Sequence, residues 1–419
     1  MPADNPAGEL TVTATAAPGL GITINGETAS SDVPMALPDI APGSEIQIQV
    51  SELQGEPPLS TSYTLVYLPS DFPELTVTVC EPETSSDPIY VTLHAERVNY
   101  LAKLDNHGVP YFYASTPQRA FDFKLHPTGE LSYALAVEGN THAEHVLLDA
   151  SYAEMARIRT TDLQSTDVHD FLVEPNGNYI LMAYEPTQRD LSAYGLSEAQ
   201  RVLDGVVQEL DSDLNVVFQW NTWDHMAYEE NFLSSDDDYA HLNSVFVDWD
   251  GNWLVSSRGM SQVLKIDRTT GEVIWRLGGI ANDFSFVNDP FEGVCGQHAA
   301  SRLNNGNLLI FDNGTQRMCV PDTPPRGNDT RIVEYALDED RMTAELVWSY
   351  QRDDVYSQGM GSAQRLENGN TFIGWGSIAW DNTEALATEV DAEGNVVFDL
   401  EAYSPNGAVT SYRAWRFSD

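Results

Sequence analysis

From about residue 9 to residue 85, apolar and polar positions trade places every second residue. Examples are Glu9-Leu10-Thr11-Val12-Thr13-Ala14, Glu45-Ile46-Gln47-Ile48-Gln49-Val50 and Leu75-Thr76-Val77-Thr78-Val79. Period-two alternation rich in Thr and Val, cut by Pro and Gly, predicts half-buried strands of a small antiparallel sandwich. The polar stretch Glu81-Pro82-Glu83-Thr84-Ser85-Ser86-Asp87-Pro88 reads as a linker. The expected domains are therefore 1–86, an immunoglobulin-like β-sandwich with a spacer or docking role, and 87–419.

Beyond the linker two units alternate. One is a hairpin turned on Asn or Asp, Gly, Asn: Asn176-Gly177-Asn178, Asp250-Gly251-Asn252, Asn305-Gly306-Asn307 and Asn368-Gly369-Asn370, with Thr128-Gly129-Glu130 a weaker copy. The glycine supplies the positive φ that such a turn needs. The other is a strand, an Asp turn and a second strand, as in Leu210-Asp211…Phe218-Gln219-Trp220 and Ile266-Asp267…Val273-Ile274-Trp275. Each pair of units supplies four short strands, one blade of a propeller. The expected fold is all-β: a six-bladed β-propeller preceded by a small N-terminal β-sandwich. The last blade is expected to join residues near 387–400 to Ser411-Tyr412-Arg413-Ala414-Trp415-Arg416 and an early strand near Ile89–Leu93, a closure that removes exposed edges. Ser197–Leu203 reads as the best short helix.

Aligning the hairpins on their glycines exposes a pattern. Eight residues before Gly177 stands His169, and eight before Gly306 stands His298. The same count from Gly251 gives Asn243, with His241 two residues earlier; the poorer copies give Phe121 and Gly361. Seven residues after the glycines stand Tyr184, Arg258, Asn313 and Gly376. Antiparallel pairing returns those positions to the start of the first strand. One mouth of the channel should thus gather His169, His241, His298, Arg258, Tyr184, Asn243 and Asn313. A lone strand histidine is ordinarily a satisfied core residue, but three at equivalent turns beside an arginine point to a site. Such a ring suits a small oxyanion, sulfate, phosphate or carboxylate. A neutral imidazole in it could act as a nucleophile. Three histidines could instead bind a divalent metal, although Arg258 would repel the ion.

Charge narrows the partners. Sixty-four Asp and Glu face 21 Lys and Arg, a net of −43, which disfavours nucleic acid and anionic membrane. The acids are scattered, as on a hydrated surface adapted to marine or halophilic salt. No run approaches the roughly eighteen apolar residues of a membrane span. The opening Met1-Pro2-Ala3-Asp4-Asn5 has no basic or apolar leader region, so no signal peptide is expected in this chain; the expected location is secreted or periplasmic. Cys295 and Cys319 flank the hairpin that carries His298 and could face each other, which would indicate an oxidising compartment; Cys80 would be left odd. Ser235-Asp236-Asp237-Asp238 admits a structural Ca²⁺ or a solvated loop. Trp223, His225 and Tyr228 either line an aromatic site or pack their own loop, and the same two readings apply to Trp375 and Trp380.

Several pieces together resemble one family. Val168-His169-Asp170, His241-Leu242-Asn243-Ser244, Ser256-Ser257-Arg258, Ile274-Trp275-Arg276-Leu277-Gly278-Gly279 and Gln297-His298 with Phe311-Asp312-Asn313-Gly314 are similar, in order, to motifs of the arylsulfotransferases. These are the PAPS-independent aryl-sulfate sulfotransferases. The similarity spans about residues 90–417, and Asn282-Asp283-Phe284 looks like the family's less-studied branch. The resemblance implies a six-bladed propeller with an N-terminal β-sandwich and a ping-pong reaction. It implies that His298 is transiently sulfated, that Arg258, His169 and His241 hold the sulfuryl oxygens and assist proton transfer, and that Asn243 is a polar neighbour. Tyr184 and Asn313 are expected to contact substrate as well. The donor would be an aryl sulfate in place of PAPS and the acceptor a phenol, with no catalytic metal; a homodimer is one admissible assembly. Ala299, Ala300 and Arg302 depart from a branch pattern that has Asp after Gln-His and Arg soon after. Two rival readings are a propeller lyase or hydrolase acting on an anionic, sulfated polysaccharide, and a non-catalytic oxyanion-binding propeller. A long cationic groove would favour the polymer, and a closed aromatic pocket the phenols.

Overall fold

The computed structural model describes all residues except 1–7, 55–58, 96–97, 138–141, 233–236, 328, 377–383, 406 and 419, and the side chains of residues 8 and 9. The chain divides into two compact units, Met1–Phe72 and Pro73–Asp419. In the first, the alternating segments form a four-stranded sheet (Glu27–Ala29, Leu20–Ile24, Glu45–Glu52, Ser60–Val66) and a two-stranded one (Gly8–Val12 with Met35–Ile40). Val12, Ile22, Ile24, Leu37 and Ile46, drawn from both sheets, share one apolar cluster. The period-two pattern places every such residue on one face.

The second unit contains six sheets of four or five strands, antiparallel except for Ser285–Val287, which pairs parallel with Thr343–Gln351, and nearly free of helix among the described residues. Their innermost strands are Ala414–Arg416, Ala120–Leu125, Phe171–Val173, Leu242–Val247, His298–Arg302 and Ser362–Arg365; we number the blades I to VI in that order. The inner strands of IV and V, V and VI, VI and I, and I and II contact one another, and Leu147 of blade II packs with Phe171 and Leu181 of blade III. The Asp turns recur for a local reason. The side chains of Asp105, Asp149, Asp211, Asp267 and Asp391 accept backbone N–H groups two to four residues ahead, closing each turn. The Gly278-Gly279 pair also has a steric cause: a Cβ on Gly279 would sit 2.3 Å from the Met260 carbonyl.

Three expectations change. Glu74–Cys80, which contains the alternating Leu75–Val79, pairs with Val396–Tyr403 as the outermost strand of blade VI. It is therefore not a sandwich strand, and the compact units divide at Phe72–Pro73 and not after residue 86. Alternation marks a half-buried strand but carries no information about its partner. The terminal strand Ala414–Arg416 does pair with Ile89–Ala95, but this closes blade I, while Ala385–Val390 and Val396–Tyr403 belong to blade VI. Ser197–Leu203 is not a helix: Gln200–Leu210 is a long strand paired along its whole length with Tyr179–Arg189, and this pairing overrides a weak local propensity. Cys295 and Cys319 are bridged, with Cα atoms 4.7 Å apart, and Cys80 is free and exposed.

A buried ionic cluster lies among the inner strands. Lys124 donates to Asp122 and Asp170, each at 2.6 Å, and Arg413 reaches Asp122 at 3.2 Å and the Asn243 carbonyl at 2.7 Å. Asp170 also accepts the Val245 N–H at 3.1 Å, so the cluster joins blades I to IV.

Three further buried histidines brace blades I and II. His94 bonds the Ala120 carbonyl (2.5 Å), His126 the Ser132 hydroxyl (2.7 Å) and His145 the Asp167 carbonyl (3.0 Å). Burial first, then Arg119 for His94 and Lys124 for the other two, pulls their pKa values down to about 3, 3 and 4. Each is neutral when folded and gains a proton when unfolded below its ordinary value of 6.5. Their contribution is thus complete above that pH and is lost as pH falls, by up to about 1.4 kcal/mol per unit for each histidine. Chemical-denaturation stability should fall steeply between about pH 6.5 and 4, and His126→Gln should make that slope shallower.

Candidate active site

The site lies where hairpin ends converge on the channel. Inner strands of blades II, IV and V carry register shifts there, at Phe121/Lys124, Leu242/Ser244 and His298/Ser301. Such bulges kink a strand and re-aim its side chains. Ala299, within one of these shifts, and His241, just ahead of another, hold positive φ, 46° and 47°, strain of a kind that persists only where the surroundings enforce it. Arg258 follows Trp253–Ser257, and its backbone N–H returns to the His241 carbonyl at 2.9 Å.

His298 is buried and held at both ring nitrogens. Nδ1 meets the Asn313 side-chain oxygen at 2.7 Å, and Nε2 accepts the Met360 N–H at 3.1 Å. The Asn313 amide is oriented by donating to the Ser357 and Met360 carbonyls at 2.8 and 3.0 Å. Its oxygen can only accept, so the proton of His298 resides on Nδ1 and the lone pair on Nε2. Burial, and next the charge of Arg258, holds the pKa of His298 well below that of a free histidine.

His169 and His241 are held differently. The Nδ1 of His169 lies 2.6 Å from an Asp167 carboxylate oxygen that also accepts the His169 backbone N–H. The Nδ1 of His241 lies 2.5 Å from Asp238, which likewise takes the His241 N–H at 3.1 Å. Their rings meet edge to face at 5.1 Å. Burial opposes charge on Asp167, but His169 and then His241 outweigh it and keep that carboxyl below its usual range. The Tyr184 hydroxyl donates to the Leu242 carbonyl at 2.5 Å and lies 3.3 Å from Nδ1 of His169. Burial, then Asp167 and Asp238, raises its pKa far above the ordinary tyrosine value, so it stays protonated.

Arg258 stands apart from these satisfied groups. It is largely buried, its Nε has no hydrogen-bond partner, and no carboxylate pairs with it among the described residues. Burial, and then the nearby Arg317, weakens its hold on the proton. A desolvated guanidinium without a counter-ion is a receptor for an oxyanion.

The structure thus brings His169, His241, His298, Arg258 and Tyr184 together. Asn313 touches His298 itself. Asn243 is fully buried and donates to the Gln297 carbonyl at 2.7 Å, bracing the residue before His298. The polar contacts of Tyr184, Asn243 and Asn313 are thus with the protein itself. Sequence reasoning gave Asp167 no role, read Asp238 only as part of a Ca²⁺ or solvated loop and Tyr412 only as part of a closing strand, although the two acids stand two and three residues ahead of their histidines and the Tyr412 ring lies 5.7 Å from that of His169. Ala299 joins an apolar cluster, and Arg302 pairs with Asp248 and Glu339 outside the site. Trp223 packs on Tyr239 and Arg189, His225 stacks on Trp220 and Tyr228 meets Tyr194, so these residues fasten their own loop. Trp375 is a core residue bonded to Thr388; Trp380, Ser235 and Asp236 lie outside the described residues. Asp237 pairs with Arg201 and Asp238 serves His241. Among the described residues no cluster of three or more His, Cys, Asp or Glu is arranged for a metal.

Comparison with known proteins finds relatives of this chain. The family model described as Arylsulfotransferase (ASST) matches residues 76–413. Arylsulfate sulfotransferase AssT of Escherichia coli O6:H1 (strain CFT073) is 31% identical over 211 residues, 42% of this chain and 35% of that protein. The enzyme of the same name from Lelliottia amnigena is 29% identical over 136 residues, 30% of this chain and 23% of that protein. The match thus spans at most about a third of these relatives' length. A crystal structure of a protein of unknown function from Bacteroides caccae aligns with 80% of this chain and all of its own, with a TM-score of 0.52 at 12% identity, which shows a shared fold.

The unpaired guanidinium makes a direct prediction. At matched ionic strength, sulfate in place of chloride should raise the melting temperature, because a ligand bound only to the folded state stabilises it. Arg258→Gln should remove most of that rise.

Proposed function

The chain belongs to the arylsulfotransferase family, and we propose that it moves a sulfuryl group from an aryl sulfate to a phenolic acceptor through a sulfated His298. The observation that carries this reading is the pairing of a neutral imidazole, its lone pair confined to Nε2, with the buried, unpaired guanidinium of Arg258. A protonated imidazole has no lone pair to give. A guanidinium without a carboxylate is free to hold sulfuryl oxygens.

In the first half-reaction the donor's sulfuryl oxygens lie against Arg258, and Nε2 of His298 attacks sulfur. The N–S bond forms as the S–O bond to the aryl group breaks, and the departing oxygen takes a proton from His169 or His241. In the second, that imidazole, now neutral, takes the proton of the incoming phenol. The phenol oxygen attacks sulfur, the N–S bond breaks, and the electron pair returns to His298. Sulfuryl transfer resembles phosphoryl transfer in spreading charge over peripheral oxygens, so fixed cationic donors stabilise its transition state. The Met360 N–H, which caps Nε2 at 3.1 Å, has to release the lone pair before attack. Because the aryl ester itself supplies the sulfuryl group, PAPS has no role. The Cys295–Cys319 bridge supports a secreted or periplasmic location, since disulfides persist in oxidising compartments. The excess of acids supports a salt-adapted surface.

The test is to incubate the protein with a chromogenic aryl sulfate, with and without a phenol, and to search its peptides for sulfated His298. Phenol release should accelerate with acceptor, and the sulfated peptide should accumulate without it. His298→Ala should lower turnover by more than about a thousandfold, and Arg258→Ala by about a hundredfold or more. Donor cleavage by His298→Ala at the wild-type rate would sink the reading.

A further inference from the structure

The three site histidines differ in one respect that the fold imposes, the group on Nδ1. It is a carboxylate for His169 (Asp167, 2.6 Å) and for His241 (Asp238, 2.5 Å), but an amide oxygen for His298 (Asn313, 2.7 Å). Each carboxylate also accepts the backbone N–H of its own histidine, and the amide is locked by two carbonyls. The partners are therefore set before any ligand arrives. We infer that the Nδ1 partner assigns each imidazole its part: Asn313 makes His298 the sulfuryl carrier, while Asp167 and Asp238 make His169 and His241 the proton donors to the departing aryl oxygen. This rests on the function proposed above and names the positioning residues for it.

The chemistry follows from what each partner stabilises. A carboxylate on Nδ1 favours the imidazolium, which can give the Nε2 proton to a leaving oxygen and take one back from an acceptor. An amide oxygen carries no charge with which to favour that cation. Charged and titratable groups facing His298 are Arg258, His169 and His241, all of which oppose its protonation. Those around the other two are Asp167, Asp238, Tyr184, Arg258 and Tyr412, with both carboxylates in direct contact. After sulfation, His298 bears SO₃ on Nε2 and a proton on Nδ1. In that state it leaves sulfur as a neutral imidazole. A carboxylate in place of Asn313 would stabilise the cationic N-sulfo ring, as it stabilises the imidazolium of the other two histidines, and so hold the sulfuryl group on His298 against the acceptor. The same amide also directs the proton of the resting enzyme to Nδ1, which frees Nε2 for attack.

The test uses the ratio of rates on two donors within one sample, so that partial misfolding cancels. 4-Nitrophenyl sulfate releases an oxygen that needs no proton, whereas phenyl sulfate releases one that does. General acid catalysis contributes about a hundredfold or more. Asp167→Asn combined with Asp238→Asn should therefore lose at least about tenfold more rate on phenyl sulfate than on 4-nitrophenyl sulfate, and at least one single variant should show the same bias. Equal losses on both donors, or no loss on either, would overturn this part and leave the carboxylates merely holding the rings. For Asn313→Asp, stopped-flow should show the acceptor step slowed at least about tenfold more than the donor burst, with sulfated His298 accumulating. Both steps falling together, or an unimpaired acceptor step, would overturn the role of Asn313. Sulfated His298 in the wild-type protein combined with unbiased variants would refute only this inference, whereas its absence would refute the function itself.

Discussion

The site is tied to the ionic cluster among the inner strands, where Lys124 and Arg413 face Asp122 and Asp170 almost entirely out of water. Burial alone would drive the Asp122 carboxyl up, but Lys124 and Arg413 reverse this and hold it far below the carboxylate range. Arg413 is in turn pushed upward against its burial by Tyr412, Asp122 and Asp170. Such a cluster adds little net stability over an apolar core, but removing one member leaves an uncompensated charge at a cost of about 3–5 kcal/mol. It therefore fixes how four blades meet. From Arg413 the connection runs to the Asn243 carbonyl, from the Asn243 amide to the Gln297 carbonyl, and so to His298.

At the site itself the charges are arranged to opposite effect. A chain with a net charge of −43 keeps a largely buried arginine that pairs with no carboxylate among the described residues, with exposed Arg317 near it. The scattered surface acids are screened within roughly 8–10 Å at ordinary salt, so the local field belongs to the buried groups. Arg258 performs two tasks with one charge. It offers a desolvated seat for an oxyanion, and it helps to keep His298 unprotonated and nucleophilic. Asp167 and Asp238 are engaged by the Nδ1 atoms of their own imidazoles; Asp238 attracts Arg258 but forms no ion pair with it among the described residues.

Much of this was legible along the chain. The turn glycines mark hairpins because only a residue without a Cβ takes a positive φ cheaply, and counting from them places His169, His298, Arg258 and Asn313 at one end of neighbouring hairpins. What counting lacked was direction. Asn313 and Tyr184 are at the predicted ends, but Asn313 turns to the ring of His298 and Tyr184 to Leu242 and His169. Asn243 faces its neighbour's backbone, because the bulge at Leu242/Ser244 rotates it there. Trp223, His225 and Tyr228 carried no periodicity that separated a pocket lining from loop packing, and packing won.

By itself the sequence determined the class of the fold, the positions of most turns and the identity of the groups at the mouth. Those depend on local stereochemistry: alternation, glycine at positive φ, Asp closing a turn on its own backbone. Partnership was decided in three dimensions. Glu74–Cys80 found the edge of blade VI, Gln200–Leu210 became a strand against Tyr179–Arg189, and Cys295 met Cys319. Most consequential is the group that each histidine meets at Nδ1. For His169 and His241 the acids lie close in the chain, but for His298 the amide comes from across a bulged hairpin. The protonation of that ring is set by burial and by the charge of Arg258 in the next blade, quantities that do not exist until the ring of blades has closed.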